Sequence, residues 1–204
     1  MLNEEGKPAE PCDVEASSVE MVNMFLERSS VVLEIGARYG TVSCAIAKQQ
    51  SNSGKVLSVE ADPRVWDALT GNLARHGCTV NVLKGVIGTE DVTITPAGNG
   101  GYGTVSAPVA NLLSNVTSPH MTFDEAQSKY NMKFDTVMFD CEGCIPTTLA
   151  QNPGMLDNVK VLTLEIHNDA ETAAYENLLA SGTWKLVHTS PRETRQHVLQ
   201  RVSL

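Results

Sequence analysis

The stretch Val31-Val32-Leu33-Glu34-Ile35-Gly36-Ala37-Arg38-Tyr39-Gly40 decides the fold. Its first half is an apolar run, interrupted only by Glu34 and stopped by a glycine. A run of that length reads as a parallel strand buried on both faces. Gly36 and Gly40 then let the chain turn sharply, and residues 41–50 read as a helix. Strand, glycine turn and helix open an α/β unit, and the chain goes on to repeat the pattern.

Working outward, residues 55–60 form a second apolar strand ending in Glu60. Asp62 and Pro63 sit as cap and first residue of a helix over 63–76, which Gly77 can close in a left-handed conformation. Strands follow at 79–86 and, short, at 92–95. Residues 123–130 read as a helix, 134–140 and 159–167 as strands, and 169–180 as a helix. Residues 184–189 and 196–202 alternate apolar and polar about Ser190-Pro191-Arg192-Glu193, the pattern of a closing antiparallel hairpin. Upstream, 14–28 suits an amphipathic helix and 1–13 a loose tail. Gly98-Asn99-Gly100-Gly101-Tyr102-Gly103 reads as a flexible loop. The expected fold is α/β, a mostly parallel sheet with helices on both faces and right-handed crossovers, in a single domain over 1–204.

The 204 residues suffice for one ordinary core. A net charge of −9 counts against a nucleic acid or an anionic membrane as partner. The opening Met1 to Asp13 has no apolar core of a signal peptide, and no run approaches the ~20 apolar residues of a membrane span. A reducing, cytoplasmic setting is therefore expected. The five cysteines are odd in number and scattered, so they are not read as a disulfide framework. Cys44 and Cys78 are expected to pack as small hydrophobes. Cys141-x-x-Cys144 has no second pair to complete a zinc site and does not open a thioredoxin-type domain, so its spacing is taken as coincidence. Asn115-Val116-Thr117 is taken the same way.

In an open parallel sheet, ligands bind beyond the carboxyl ends of the strands. Those ends carry Glu34 with Gly36, Glu60, Val86, Asp140 with Glu142, and Glu165 with His167. Acids gathered on a solvated rim would be the bland explanation. Like charges repel, however, so carboxylates on most strand ends ask for a cationic ligand or a proton to move. The first turn spaces its glycines G-x-x-x-G, not the G-x-G-x-x-G that cradles a pyrophosphate. An acid beside that turn suits a ligand with a cationic amino group. Glu60, twenty residues after Gly40, stands where an acid pairs with ribose hydroxyls. Adenosine joined to an amino acid satisfies both, and S-adenosylmethionine fits. Asp140, Glu142, Glu165 and His167 alternate along their strand ends. They could accept a proton, or hold a divalent cation such as Mg or Mn. Either would activate a hydroxyl for methylation.

Taken together, these motifs resemble the FkbM-type family of class I S-adenosylmethionine-dependent methyltransferases, over roughly residues 31–167. The segments that carry the resemblance are 34–40, Val59-Glu60-Ala61-Asp62-Pro63, Lys84-Gly85-Val86-Ile87-Gly88, 134–143 and Leu164-Glu165-Ile166-His167. The resemblance implies a Rossmann-like, seven-stranded sheet with an antiparallel C-terminal hairpin. It also implies O-methyl transfer, often onto sugars or other small-molecule hydroxyls. Glu34, Gly36 and Gly40 would hold the methionine part and Glu60 the ribose, with Ala37, Arg38 and Ala61 also at the cofactor. Val86 would lie near the adenine and Asp140 near the sulfonium. The chain departs from the family pattern at Arg38 (usually Asn), Met138 (often Lys) and Ile145 (often acidic). A cofactor-binding module without catalysis, a nicotinamide-dependent oxidoreductase and a nucleic-acid amino methyltransferase are the rival readings, the last opposed by the charge and by the lack of an Asn-Pro-Pro-aromatic or Asp-Pro-Pro-aromatic motif. The second lacks its glycine fingerprint. The pocket for the acceptor is expected from the 98–103 loop and residues 104–120.

Overall fold

The computed structural model describes residues 1–9, 15–96, 104–108, 116–193 and 195–202, with side chains at 96 and 104–108 left aside. The 98–103 loop, Cys12 and Asn115 lie outside the described residues. The elements run α1 (Ala16–Phe25), β1 (Val32–Ile35), α2 (Thr41–Gln49), β2 (Val56–Glu60), α3 (Trp66–Arg75), β3 (Asn81–Lys84), β4 (Val86–Ile87), β5 (Val92–Pro96) and β6 (Thr104–Pro108). They continue β7 (Thr117–Ser118), β8 (His120–Met121), α4 (Phe123–Tyr130), β9 (Thr136–Phe139), α5 (Ile145–Gln151), β10 (Val161–Glu165), α6 (Asp169–Ala180), β11 (Trp184–Thr189) and β12 (Gln196–Arg201).

The main sheet has seven strands in the order β11-β12-β10-β9-β1-β2-β3. Pairing is parallel from β10 to β3, and β12 runs antiparallel to both β10 and β11. This is the sheet that the sequence pattern and the family resemblance lead one to expect. All four residues of β1 and all five of β2 are buried, as expected for central strands covered twice. Alternation divides them between two layers. Val32 and Val56 face α1, α2 and α3, where Val22, Ile46 and Leu69 pack. Leu33, Ile35, Leu57 and Val59 face the other layer, with Phe123 of α4 and Ile145 of α5.

Several boundaries moved for identifiable reasons. Asp62 does not cap α3. Its carboxylate accepts the Arg64 amide and guanidinium, making a turn, and α3 begins at Trp66. The strand expected over 79–86 breaks at Gly85, which has φ +158° and sits so close to the Pro119 carbonyl that a Cβ would overlap it. Val86–Ile87 then leaves the sheet and pairs with β8. Helix α5 was not anticipated, since Pro146 and two threonines mask it. α4 was, and it opens on a capping box between Thr122 and Glu125.

Two expectations are corrected outright. Residues 1–9 are not a loose tail. Asn72, fully buried on α3, receives the Leu2 amide on its Oδ1 and donates its Nδ2 to the Leu2 carbonyl, at 2.9 and 2.8 Å. The Tyr39 hydroxyl donates to Glu4. Four cysteines are paired: Cys44 with Cys78 and Cys141 with Cys144, with Cα atoms 5.3 and 5.5 Å apart. The first pair joins α2 to the turn after α3, a proximity set by packing that spacing cannot show. Among the described residues no helix is long and apolar enough to cross a membrane.

Candidate functional site

Sheet register builds the site. Ile35 is level with Val59 and with Phe139, and Phe139 is level with Leu164. One residue further along, the row therefore reads Glu60, Gly36, Asp140, Glu165. Parallel strands bring their carboxyl ends to one rim, so the acids ending β2, β9 and β10 stand in one line above the sheet, with Gly36 of β1 among them.

Gly36 is the low point of that rim. Its φ is +101°, and a Cβ built on it would overlap the Asp140 backbone carbonyl. Only glycine lets β1 turn while β9 passes this close. The amides of Gly36 and Ala37 both donate to the Val59 carbonyl at 3.0 Å. Arg38 adopts φ +44°, a left-handed conformation that asparagine would tolerate better. Its amide donates to Glu60 Oε2 at 2.7 Å and its guanidinium pairs with Asp62 at 3.3 Å.

A cavity opens over this rim. Its wall includes Gly36, Arg38, Glu60, Ala61, Val86 and Asp140, six of the residues expected to hold a cofactor. Glu142 also lines it. The structure does not bring Glu34, Ala37 and Gly40 to this wall. Ala37 is buried beneath the turn, and Gly40 packs on Leu69 and Leu73. Glu34 points into the α1–α2 layer, where its Oε2 accepts from the Ser43 and Ser58 hydroxyls. It lines a smaller cavity that shares Gly36 and Asp140 with the first and also contains Glu165. Burial pushes its carboxyl up to about 7.

Glu60 is buried and clamped by two amides, Arg38 on Oε2 and Asp62 on Oε1, both at 2.7 Å. Burial raises its pKa. The clamp fixes the carboxylate at the cavity wall with lone pairs left over.

His167 gathers the remaining acids. Its Nε2 lies 3.3 Å from Glu165, 3.7 Å from Glu142 and 3.8 Å from Asp140. Its Nδ1 lies 3.4 Å from Glu171. Burial alone would lower the imidazole pKa, but Glu165 and Glu171 outweigh it and carry it up to about 10. Asp140 is shifted upward as well: burial, then the charges of Glu165 and Glu15, hold its carboxyl well above the usual range. One ligand atom each from Asp140, Glu165 and His167 falls within 4.8 Å of the others, a spacing that suits a divalent cation.

Sequence reasoning missed two acids. Glu171 is fully buried, and its Oε2 accepts the His167 amide at 2.8 Å. The signal was available, since an acid four residues after His167 falls in the first turn of a helix already expected there. Glu15 lines the main cavity, and burial with the charge of Glu165 raises its carboxyl to about 7. No local pattern could have found it, because α1 docks across the rim from far away in sequence.

No family model matches the chain, and no curated protein matches it. Solved structures do. An O-methyltransferase from Bacillus cereus in complex with SAH is 15% identical over 96% of this chain and 84% of its own, with a TM-score of 0.55. An rRNA methylase from Streptococcus thermophilus is 10% identical over 96% and 100%, at 0.57. A precorrin-6y C5,15-methyltransferase from Geobacter metallireducens is 14% identical over 96% and 90%, at 0.53. At such identities the likeness is one of architecture. The chain has a Rossmann-like methyltransferase fold, with its seven-stranded sheet and antiparallel C-terminal hairpin.

Proposed function

We propose that this chain is an S-adenosylmethionine-dependent methyltransferase that methylates a hydroxyl of a small molecule, a sugar being the first candidate. The observation that carries this reading is the row Glu60, Gly36, Asp140, Glu165, set by register on one rim, of which Glu60, Gly36 and Asp140 line the main cavity and Glu165 the smaller one adjoining it. The cavity suits the cofactor in each part. Glu60 offers fixed oxygens to ribose hydroxyls. Ala61, Val86 and Ile87 offer an apolar wall to an adenine. Glu15, Asp140 and Glu142 surround the remaining space with acid, which favours a cationic sulfonium and amino group. The net charge of −9 argues for a neutral acceptor rather than a nucleic acid. We take the cytoplasm as its setting.

When bound, the cofactor supplies an electrophilic methyl group. The chain's own residues position and deprotonate the acceptor. A hydroxyl is a poor nucleophile until its proton leaves. Asp140, with its raised proton affinity, is placed to accept that proton, with Glu142 alongside. His167 as an imidazolium cannot accept a proton; it holds Glu165, Glu142 and Asp140 together as their counter-charge. With the imidazolium proton displaced, Asp140, Glu165 and His167 would hold Mg or Mn, which would act as a Lewis acid on the hydroxyl.

Calorimetric titration with S-adenosylhomocysteine, with and without Mn, tests the reading on wild type and His167→Ala. Micromolar binding to both proteins is expected, with a Mn-dependent change in wild type alone. Turnover of an accepted substrate by His167→Ala should drop by about 10²-fold or more. A folded wild-type protein that binds neither S-adenosylmethionine nor its product would instead be a module without methyl transfer.

A further inference from the structure

We propose that Cys141 and Cys144 form a reversible thiol–disulfide site on the wall of the main cavity, opened by a dithiol reductant, and that opening it frees Glu142 from His167. Its consequence for the cofactor rests on the function proposed above; its chemistry does not.

The two disulfides of the chain differ in access. Cys44 and Cys78 are 4% and 8% exposed and sit inside the α1–α2–α3 layer. Cys141 and Cys144 are half-buried, and both line the open cavity. A disulfide exchanges only when a thiolate can reach a sulfur, so a reductant meets the second pair first.

The short loop that this bridge closes is held in an unusual shape. Its two inner residues, Glu142 and Gly143, have φ of +54° and +110°. A glutamate in the left-handed region is held there against its own preference. That conformation sets the Glu142 carboxylate 3.7 Å from His167 Nε2. The other end of the loop leads to the same histidine. Ile145, directly after Cys144, donates its amide to Glu171, which also takes the His167 amide and faces its ring. The bridge thus closes a circuit from Cys141 through Glu142, His167, Glu171 and Ile145 to Cys144. With the bridge open, the backbone at Glu142 is free to return to an extended or right-handed conformation. Its carboxylate then leaves the rim.

The exchange balances without further reactants. One thiolate of the dithiol attacks a sulfur, breaking the Cys141–Cys144 bond and forming a mixed disulfide. The second thiolate displaces the protein sulfur. The dithiol leaves as its own disulfide, and both cysteines, having gained its two electrons, take protons from water.

The full chain is equilibrated in graded ratios of reduced to oxidised dithiothreitol. Thiols are then trapped by alkylation and located by mass spectrometry. Imidazole NMR signals of His167, assigned with His167→Gln, and the affinity for S-adenosylhomocysteine are followed at the same ratios. Cys141 and Cys144 should become alkylated together while Cys44 and Cys78 stay bridged. The His167 signals should shift with the same midpoint. Affinity should fall by about tenfold, within the range usual for coupled sites. The Cys141→Ser, Cys144→Ser double variant should show the reduced-form His167 signals at every ratio. The proposal is overturned if the pair opens only with Cys44–Cys78, if it opens without moving His167, or if both cysteines are free thiols in protein isolated without reductant. Moving His167 signals with no cofactor binding in either state would uphold the thiol site and refute the cofactor reading.

Discussion

Gly36 shows how much one residue can decide. Its backbone turns away from β1 at φ +101° while the Asp140 carbonyl fills the place of a Cβ. Gly36→Ala therefore combines a left-handed alanine with a backbone overlap, and should cost at least about 2 kcal/mol. For a chain of this size that is a fall in Tm of roughly 5 °C or more, together with weakened binding of S-adenosylhomocysteine. Unchanged melting would mean that β1 and β9 do not approach as described. Glu34 gives a prediction in pH. Its folded carboxyl, held by Ser43 and Ser58, is raised to about 7 from 4.5. The folded chain thus binds this proton more tightly than the unfolded chain. The resulting stability is complete below pH 4.5 and disappears as pH rises through 7. Glu34→Gln removes that dependence, and at pH 8 it should gain on the order of 3 kcal/mol over wild type. Urea unfolding at pH 5 and pH 8 checks it; parallel pH trends in the two proteins would refute it.

At the level of elements, helices α2 and α3 flank the turn that carries the site, and Cys44–Cys78 ties one to the end of the other across 34 residues. By loop-closure entropy such a link contributes about 3–4 kcal/mol, acting mainly on the unfolded chain. Cys44→Ala with Cys78→Ala should lower the urea midpoint accordingly. Full reduction of the wild type should lower it at least as far, since it opens Cys141–Cys144 as well. A variant as stable as the oxidised parent would show that packing alone holds the pair together. The irregular connection between β3 and α4 has a different logic. Gly85 breaks β3, so that Val86 and Ile87 turn out of the sheet and stand over the cavity. A continuous strand would have kept Val86 in the sheet and away from a ligand.

For the molecule as a whole, the sheet was legible because central parallel strands are mostly apolar and end at glycines or acids. β1, β2 and β9 each stop within a residue or two of the place their sequence suggests. The acid rim followed from the same strand ends, since parallel pairing without slippage turns strand ends into a row. What sequence could not give was contact between distant parts. Glu15 reaches the cavity only because α1 docks on α2, and the cysteine pairs depend on how helices pack. Glu34 was assigned to the ligand, and the structure turns it inward because alternation places it on the side of Val32. Arg38 stands at φ +44°, a backbone that favours asparagine over arginine, and its amide and guanidinium are instead taken up by Glu60 and Asp62.

The docking of residues 1–9 has a practical side. Leu2 bonds to Asn72 through both its amide and its carbonyl, and Glu4 receives the hydroxyl of Tyr39, whose neighbour Arg38 lines the cavity. A peptide fused directly ahead of Met1 would press on that contact, two residues from the ligand wall. Affinity tags for this protein belong on the far side, after β12, where a handle leaves the rim untouched.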